Sequence, residues 1–132
     1  MYRRDLLTAE IQRLGQALAR IMGLKHQGKT QEAENGLDEI IANEFGILYN
    51  DLIASDSADF EAFLTDKNFP ADKLDLFSQF LYLKFNPSIK DTATQSLAEK
   101  LQLIYSTLEV KHHIINMINL DRQKTIQQYI KS

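Results

Sequence analysis

The chain contains no cysteine, which excludes disulfides, thiolate zinc sites, iron–sulfur clusters and a cysteine nucleophile. Its five glycines stand singly, at 15, 23, 28, 36 and 46. Neither a glycine loop that cradles phosphate nor a glycine-flanked serine elbow can be built from that spacing. No stretch approaches the ~20 consecutive apolar residues of a membrane span. The opening Met1-Tyr2-Arg3-Arg4 leads to Glu10 and Gln12 without the apolar core of a secretory leader. No run of alternating apolar and polar residues marks a strand. The expectation from these absences is a soluble, cytoplasmic, all-α protein without membrane contact.

What is present suits a single globular domain over residues 1–132. Apolar residues make up 44% and charged residues 25%, enough to bury a core without covalent staples. The net charge of −3 is unevenly spread. Residues 1–29 hold six Lys/Arg against two acids, and 30–50 hold five acids and no base. Residues 51–75 hold seven acids against two lysines, and 111–132 hold four bases against one acid. Basic ends around an acidic middle fit two readings: neighbouring helices with complementary outer faces, or a surface of one sign that reads a partner.

Periodicity places the helices. Leu7, Ile11, Leu14, Leu18 and Ile21 form one stripe of a helix from about Arg4 to His26, stopped by Gly28. Gly15, Ala19 and Gly23 form a second row on it, spaced by four, which predicts close approach of a neighbouring backbone. Thr30 reads as the N-cap of the next helix, with Ala33, Leu37, Ile40 and Ile41 inward and Gly46 as its stop. The almost absent loop between them predicts an antiparallel hairpin.

A short turn over 47–54, a cap at Ser55-Asp56-Ser57 and a helix carrying Phe60, Phe63 and Leu64 follow. Pro70 fits the first position of a helix with Leu74, Phe77, Phe80, Leu81 and Phe85, so apolar around its circumference that it belongs in the centre. Ala93, Leu97, Leu101, Ile104, Tyr105 and Leu108 mark another helix. His112, Ile115, Ile118 and Ile126 continue its stripe, with a break expected between Lys111 and Asn119 and Asn119 as the final cap.

The segment His26-Gln27-Gly28-Lys29-Thr30-Gln31-Glu32-Ala33, with Leu37 and Ile40 after it, resembles the turn and second helix of a tetratricopeptide repeat. There a glycine makes the turn and a small residue five positions on lets two helices meet. Thr30 departs from the usual aromatic, and no proline follows the second helix. Leu97-Ala98 through Tyr105 and Leu108 to Arg122-Gln123 and Ile126 is a looser echo. No strict ~34-residue period runs through the chain. In layout the whole resembles an uncharacterised family of small bacterial proteins with a tetratricopeptide-like helical fold. That resemblance implies five to seven helices in antiparallel hairpins, as a right-handed array or compact bundle, in a bacterial cytoplasm, and it implies no activity.

Chemistry-bearing clusters are few. Glu109 and His112, at i and i+3, match half of the carboxylate–histidine pattern of di-iron bundles, which needs two such motifs and two further glutamates. The other reading of His112 is a cation suited to a helix C-terminus. His112 and His113 are adjacent, so on a helix they diverge by ~100°. Asp51, Asp56, Asp59 and Glu61 lack the ligand alternation and central glycine of a calcium loop. Arg3, Arg4, Arg13 and Arg20 form the one basic area for a nucleic acid, without interleaved aromatics, and the net acidity disfavours that partner.

The expected role is therefore a non-catalytic interaction module that uses no cofactor and binds a protein partner or a second copy of itself. Arg13, Arg20, Phe69 and Tyr82 are its candidate contact residues, the two aromatics at the edge of an apolar groove. The alternative is a metal- or small-molecule-binding bundle, or an enzyme, built on Glu109 and His112.

Overall fold

The structure, a computed structural model, describes residues 2–132 and the side chains of residues 5–132. Seven helices occupy this span: α1 (Tyr2–His26), α2 (Thr30–Phe45), α3 (Tyr49–Ala54), α4 (Ser57–Lys67), α5 (Ala71–Lys84), α6 (Thr92–Val110) and α7 (Met117–Lys131). No strand occurs among the described residues, so the all-α expectation holds. None of the helices is long and apolar enough to cross a membrane.

The arrangement follows from α5. Leu74, Leu76, Phe77, Ser78, Phe80 and Leu81 are all buried on its fourteen residues, so it must be covered on more than one side. The α1–α2 hairpin covers it from one direction and α6 from the other. Helix α7 packs back along α6 as the second hairpin, while α3 and α4 lie across α6. Buried side chains from all seven helices join into one cluster.

Most of the expected stripes face this core, including Leu14, Leu18 and Ile21 of α1 and Leu97, Leu101, Ile104, Tyr105 and Leu108 of α6. Ala93 is exposed instead. Two stops are as the glycine signals predicted: Gly28 and Gly46 both hold a left-handed φ of 76°, which costs glycine little and other residues more.

Three starts differ from expectation. Lys29, not Thr30, occupies the N-cap of α2, and its side chain makes no cap hydrogen bond. The Gly28 turn delivers the chain in helical register one residue early. Pro70 is the N-cap of α5 and Ala71 its first helical residue. Helix α7 is capped by Asn116, whose side chain accepts from the Asn119 amide at 2.9 Å. Asn119 is instead buried in the first turn and donates through Nδ2 to Asp75 Oδ1 of α5, also at 2.9 Å.

The Gly15/Ala19/Gly23 row is not a close-packing seam. A Cβ placed on Gly15 or Gly23 meets nothing within 4 Å. The hairpin's tight point is Gly36 of α2, where a Cβ would stand 3.4 Å from Ile21 Cγ1. Glycine inside a helix costs ~1 kcal/mol relative to alanine. Gly15→Ala and Gly23→Ala are therefore each expected to raise the free energy of unfolding by about 0.5–1 kcal/mol. Urea midpoints at constant slope are the check, and a loss of stability in either variant would mean that the row is in contact after all.

Candidate functional site

The α6–α7 junction departs most from the sequence pattern. Helix α6 ends without glycine or proline: His113 takes the left-handed conformation, φ 58°, which non-glycine residues adopt infrequently. This turns the chain so that the Ile114 amide donates to the Leu108 carbonyl at 2.9 Å. Asn116 then opens α7. The reversal throws outward residues that a continuous stripe would bury. Met117 is 83% exposed, Val110 72%, Ile118 63% and Ile115 61%, with Leu120 also exposed. From Val110 to Leu120 there is no acidic residue, while Lys111, His112 and His113 lie within the run. The junction is thus an apolar knob with one lysine and two histidines at its base.

Beside the knob lies a cleft of about 310 Å³ between α4, α5 and α6. Leu64, Phe69, Leu74, Leu103 and Val110 supply its apolar lining, and Glu61, Thr65, Ser106, Thr107, Lys111 and His112 its polar one. Lys111 Nζ donates to Asn68 Oδ1 at 2.9 Å, which ties the end of α6 to the left-handed cap of α4. Val110 belongs to both features, so cleft and knob adjoin.

On the far side, Met117 and Ile118 border a second cleft, of about 300 Å³, with Asp75, Gln79, Asn119 and Arg122. Asp75 accepts there from Asn119 and from Gln79 Nε2, each at 2.9 Å. The Arg122 guanidinium lies over the Tyr82 ring at 4.7 Å. The Tyr105 hydroxyl is buried without a hydrogen-bond partner among the described residues, and burial pushes its pKa up to about 12. That holds Tyr105 as a neutral core group.

The four contact candidates fare differently. Phe69 is no groove rim. It is 8% exposed, edge-on to Phe45 at 5.7 Å and to Phe77 at 5.8 Å. It reaches only the inner lining of the α4–α6 cleft. Tyr82 is half-buried, packed against Phe85 at 5.8 Å and covered by Arg122. Arg13 and Arg20 are exposed along a shallow furrow between α1 and α2. Arg13 is already engaged: both its terminal nitrogens donate to the Glu44 carboxylate, and that hydrogen bonding holds the Glu44 carboxyl below its ordinary range. The side chains of Arg3 and Arg4 lie outside the described residues.

Glu109 and His112 do not converge. Because α6 stops at Val110, His112 lies beyond the helix. It lines the α4–α6 cleft, whereas Glu109 is exposed on the α6–α7 furrow. Among the described residues no group of three His, Asp or Glu side chains is placed to hold a metal ion. Of the acidic residues weighed for calcium, Asp56 is the N-cap of α4, accepting from the Asp59 amide at 2.7 Å.

One buried cation lies elsewhere. Lys100 of α6 donates to Ser96 Oγ at 2.9 Å, and Ser96 donates to the Ile53 carbonyl at 2.7 Å. Burial lowers the Lys100 pKa. The pair straps the end of α3 to α6, so its role is structural.

Sequence reasoning missed Ile115, Met117 and Ile118 as surface residues. The available signal was Asn116 and Asn119 interrupting an otherwise apolar run, a polar spacing that a single inward stripe does not need. Comparisons with protein-family models, with curated proteins and with solved structures give no match for this chain.

Proposed function

We propose that this chain is a non-catalytic protein-interaction module of tetratricopeptide-like helical hairpins, acting in a bacterial cytoplasm, with the α6–α7 knob and its adjoining cleft as the docking surface. The supporting observation is the run of five exposed aliphatic side chains between Val110 and Leu120 beside a cleft with an apolar lining. Contiguous exposed apolar patches on monomers are generally small, and those of several hundred Å² mark contact sites. Each such side chain, fully buried by a partner, contributes roughly 1.5–3 kcal/mol. The α1–α2 furrow is more open to solvent, and its Arg13 is paired with Glu44.

The test is site-specific photocrosslinking in the cells that make the protein. A photoreactive residue replacing Met117 is expected to give a discrete adduct, and one replacing Asn43, exposed on α2, to give none. Identical patterns from both positions, or no adduct from position 117, would remove the support for this surface.

A further inference from the structure

The cleft on the far side of the knob holds one charge of each sign, and the two are not joined. Asp75 and Arg122 both line it, beside Gln79, Asn119, Met117 and Ile118. No ion pair links the two among the described residues, although Arg13, Lys73 and Lys84 each find a carboxylate elsewhere in the fold. The Arg122 guanidinium instead lies over the Tyr82 ring at 4.7 Å. Its Nη1 is buried without a hydrogen-bond partner among the described residues. The Tyr105 hydroxyl, on a side chain 2% exposed, lacks a partner as well, and the charge of Arg122 acts on it directly. Polar groups left so are costly in a folded chain. Stacking holds the guanidinium as a planar fork, the shape that grips a carboxylate through two parallel N–H bonds.

Across the cleft, Asp75 is fixed from two sides. Asn119 Nδ2 donates to its Oδ1 and Gln79 Nε2 to its Oδ2, each at 2.9 Å. Each oxygen keeps acceptor capacity for a further donor. The geometry points to a binding site for a free aliphatic α-amino acid, with its carboxylate on Arg122, its ammonium on Asp75 and its side chain against Met117 and Ile118. A ligand carrying both charges answers both residues at once. A phosphate or a dicarboxylate would bring surplus negative charge beside Asp75, and a simple amine would leave Arg122 unanswered. The volume, about 300 Å³, stands at the lower end for small-ligand sites, which suits one amino acid. Met117 and Ile118, 83% and 63% exposed, supply the apolar wall. The site does not depend on the docking reading, with which it shares only these two side chains.

The experiment is a chemical-shift titration of the isotope-labelled chain with L-leucine. Saturable shifts of the Gln79 and Asn119 side-chain amides are expected, with a dissociation constant below about 1 mM, while the Asn43 amides stay in place. Leucinol, which lacks the carboxylate, and N-acetyl-leucine, which lacks the ammonium, should each bind at least about tenfold more weakly. Arg122→Gln should bring leucine down to the level of leucinol and leave leucinol unchanged. Asp75→Asn should do the same for leucine against N-acetyl-leucine. A merely structural role for Arg122 would weaken leucine and leucinol alike.

Absence of saturable shifts with leucine, equal binding of leucine and leucinol, or parallel losses for both in Arg122→Gln overturns the inference. Should either variant fail to fold, the three ligands on the unaltered chain decide alone. Adducts from position 117 in cells without leucine binding would sink this site and leave the docking surface standing. Leucine binding without adducts would do the reverse.

Discussion

Phe77→Ala is expected to lower the free energy of unfolding by about 4 kcal/mol. The Phe77 ring is fully buried and stacks on Phe45 at 4.4 Å with an interplanar angle of 10°. Phe69 meets it edge-on at 5.8 Å, and Phe60 lies at 6.4 Å. These partners come from α2, from α4 and from the α4–α5 link, so one ring fills the joint between three parts of the fold. Its removal forfeits the transfer free energy and leaves a cavity that three separate elements would have to close together. Each aromatic pairing adds about 0.5–1.5 kcal/mol beyond area. Against a total stability of roughly 5–15 kcal/mol, such a loss is a large fraction. Phe77→Leu, which refills most of the volume, should cost clearly less. Urea unfolding followed by circular dichroism decides it: a loss under about 2 kcal/mol for the alanine variant would mean that the rings are not a close-packed unit.

The second large effect belongs to Lys84. Its side chain is 8% exposed and bridges two α2 carboxylates, Glu34 at 2.7 Å and Asp38 at 2.6 Å. The same ammonium lies over the Tyr49 ring of α3 at 4.1 Å. Burial, then the carboxylates of Glu34 and Asp38, raise the Tyr49 pKa, so the ring stays neutral under the cation. Lys84→Met keeps the apolar stem but strands two acids against each other. Breaking a fully buried pair from one side costs about 3–5 kcal/mol, and solvent around Glu34 and Asp38, 34% and 53% exposed, screens much of it, leaving about 1–2 kcal/mol. Adding Glu34→Gln and Asp38→Asn to Lys84→Met should restore part of the loss, because no uncompensated charge remains. A double-mutant cycle measures that coupling. Equal losses with and without the acids would show that only packing of the lysine stem matters.

The helices were legible because their signals are local. The α1 stripe from Leu7 to Ile21, the Gly28 and Gly46 stops and the all-round apolar α5 each rest on residues within one element. The misreadings involve partners far away in sequence. Asn116 and Asn119 are both sound helix caps, and nothing within three residues chooses between them. The choice is made by Asp75, 44 positions upstream, which takes the Asn119 amide. Phe69 reads as a surplus aromatic until Phe45 and Phe77 enclose it.

The knob escaped for a different reason. A turn made by His113 in the left-handed region carries no glycine to announce it. Ile115 and Ile118 therefore continue the α6 period on paper and leave it in space. The glycine row of α1 misled in the opposite direction, offering a seam that no neighbour fills. For Glu109 and His112, helical spacing predicts a shared face only while the helix lasts, and it ends between them.

The central place of α5 also sets the order of events during synthesis. The α1–α2 hairpin leaves the ribosome before α5, and the surface that Leu37, Ile41 and Phe45 pack against arrives only with residues 71–84. Until then a nascent chain carries a finished hairpin with an uncovered apolar side. The intervening residues 30–75 hold twelve acids and two bases. Nascent chains side by side on a polysome thus carry like charge in this stretch during that interval. The knob follows α5 and α6 along the chain and precedes the last core residues, Ile126 and Tyr129 of α7.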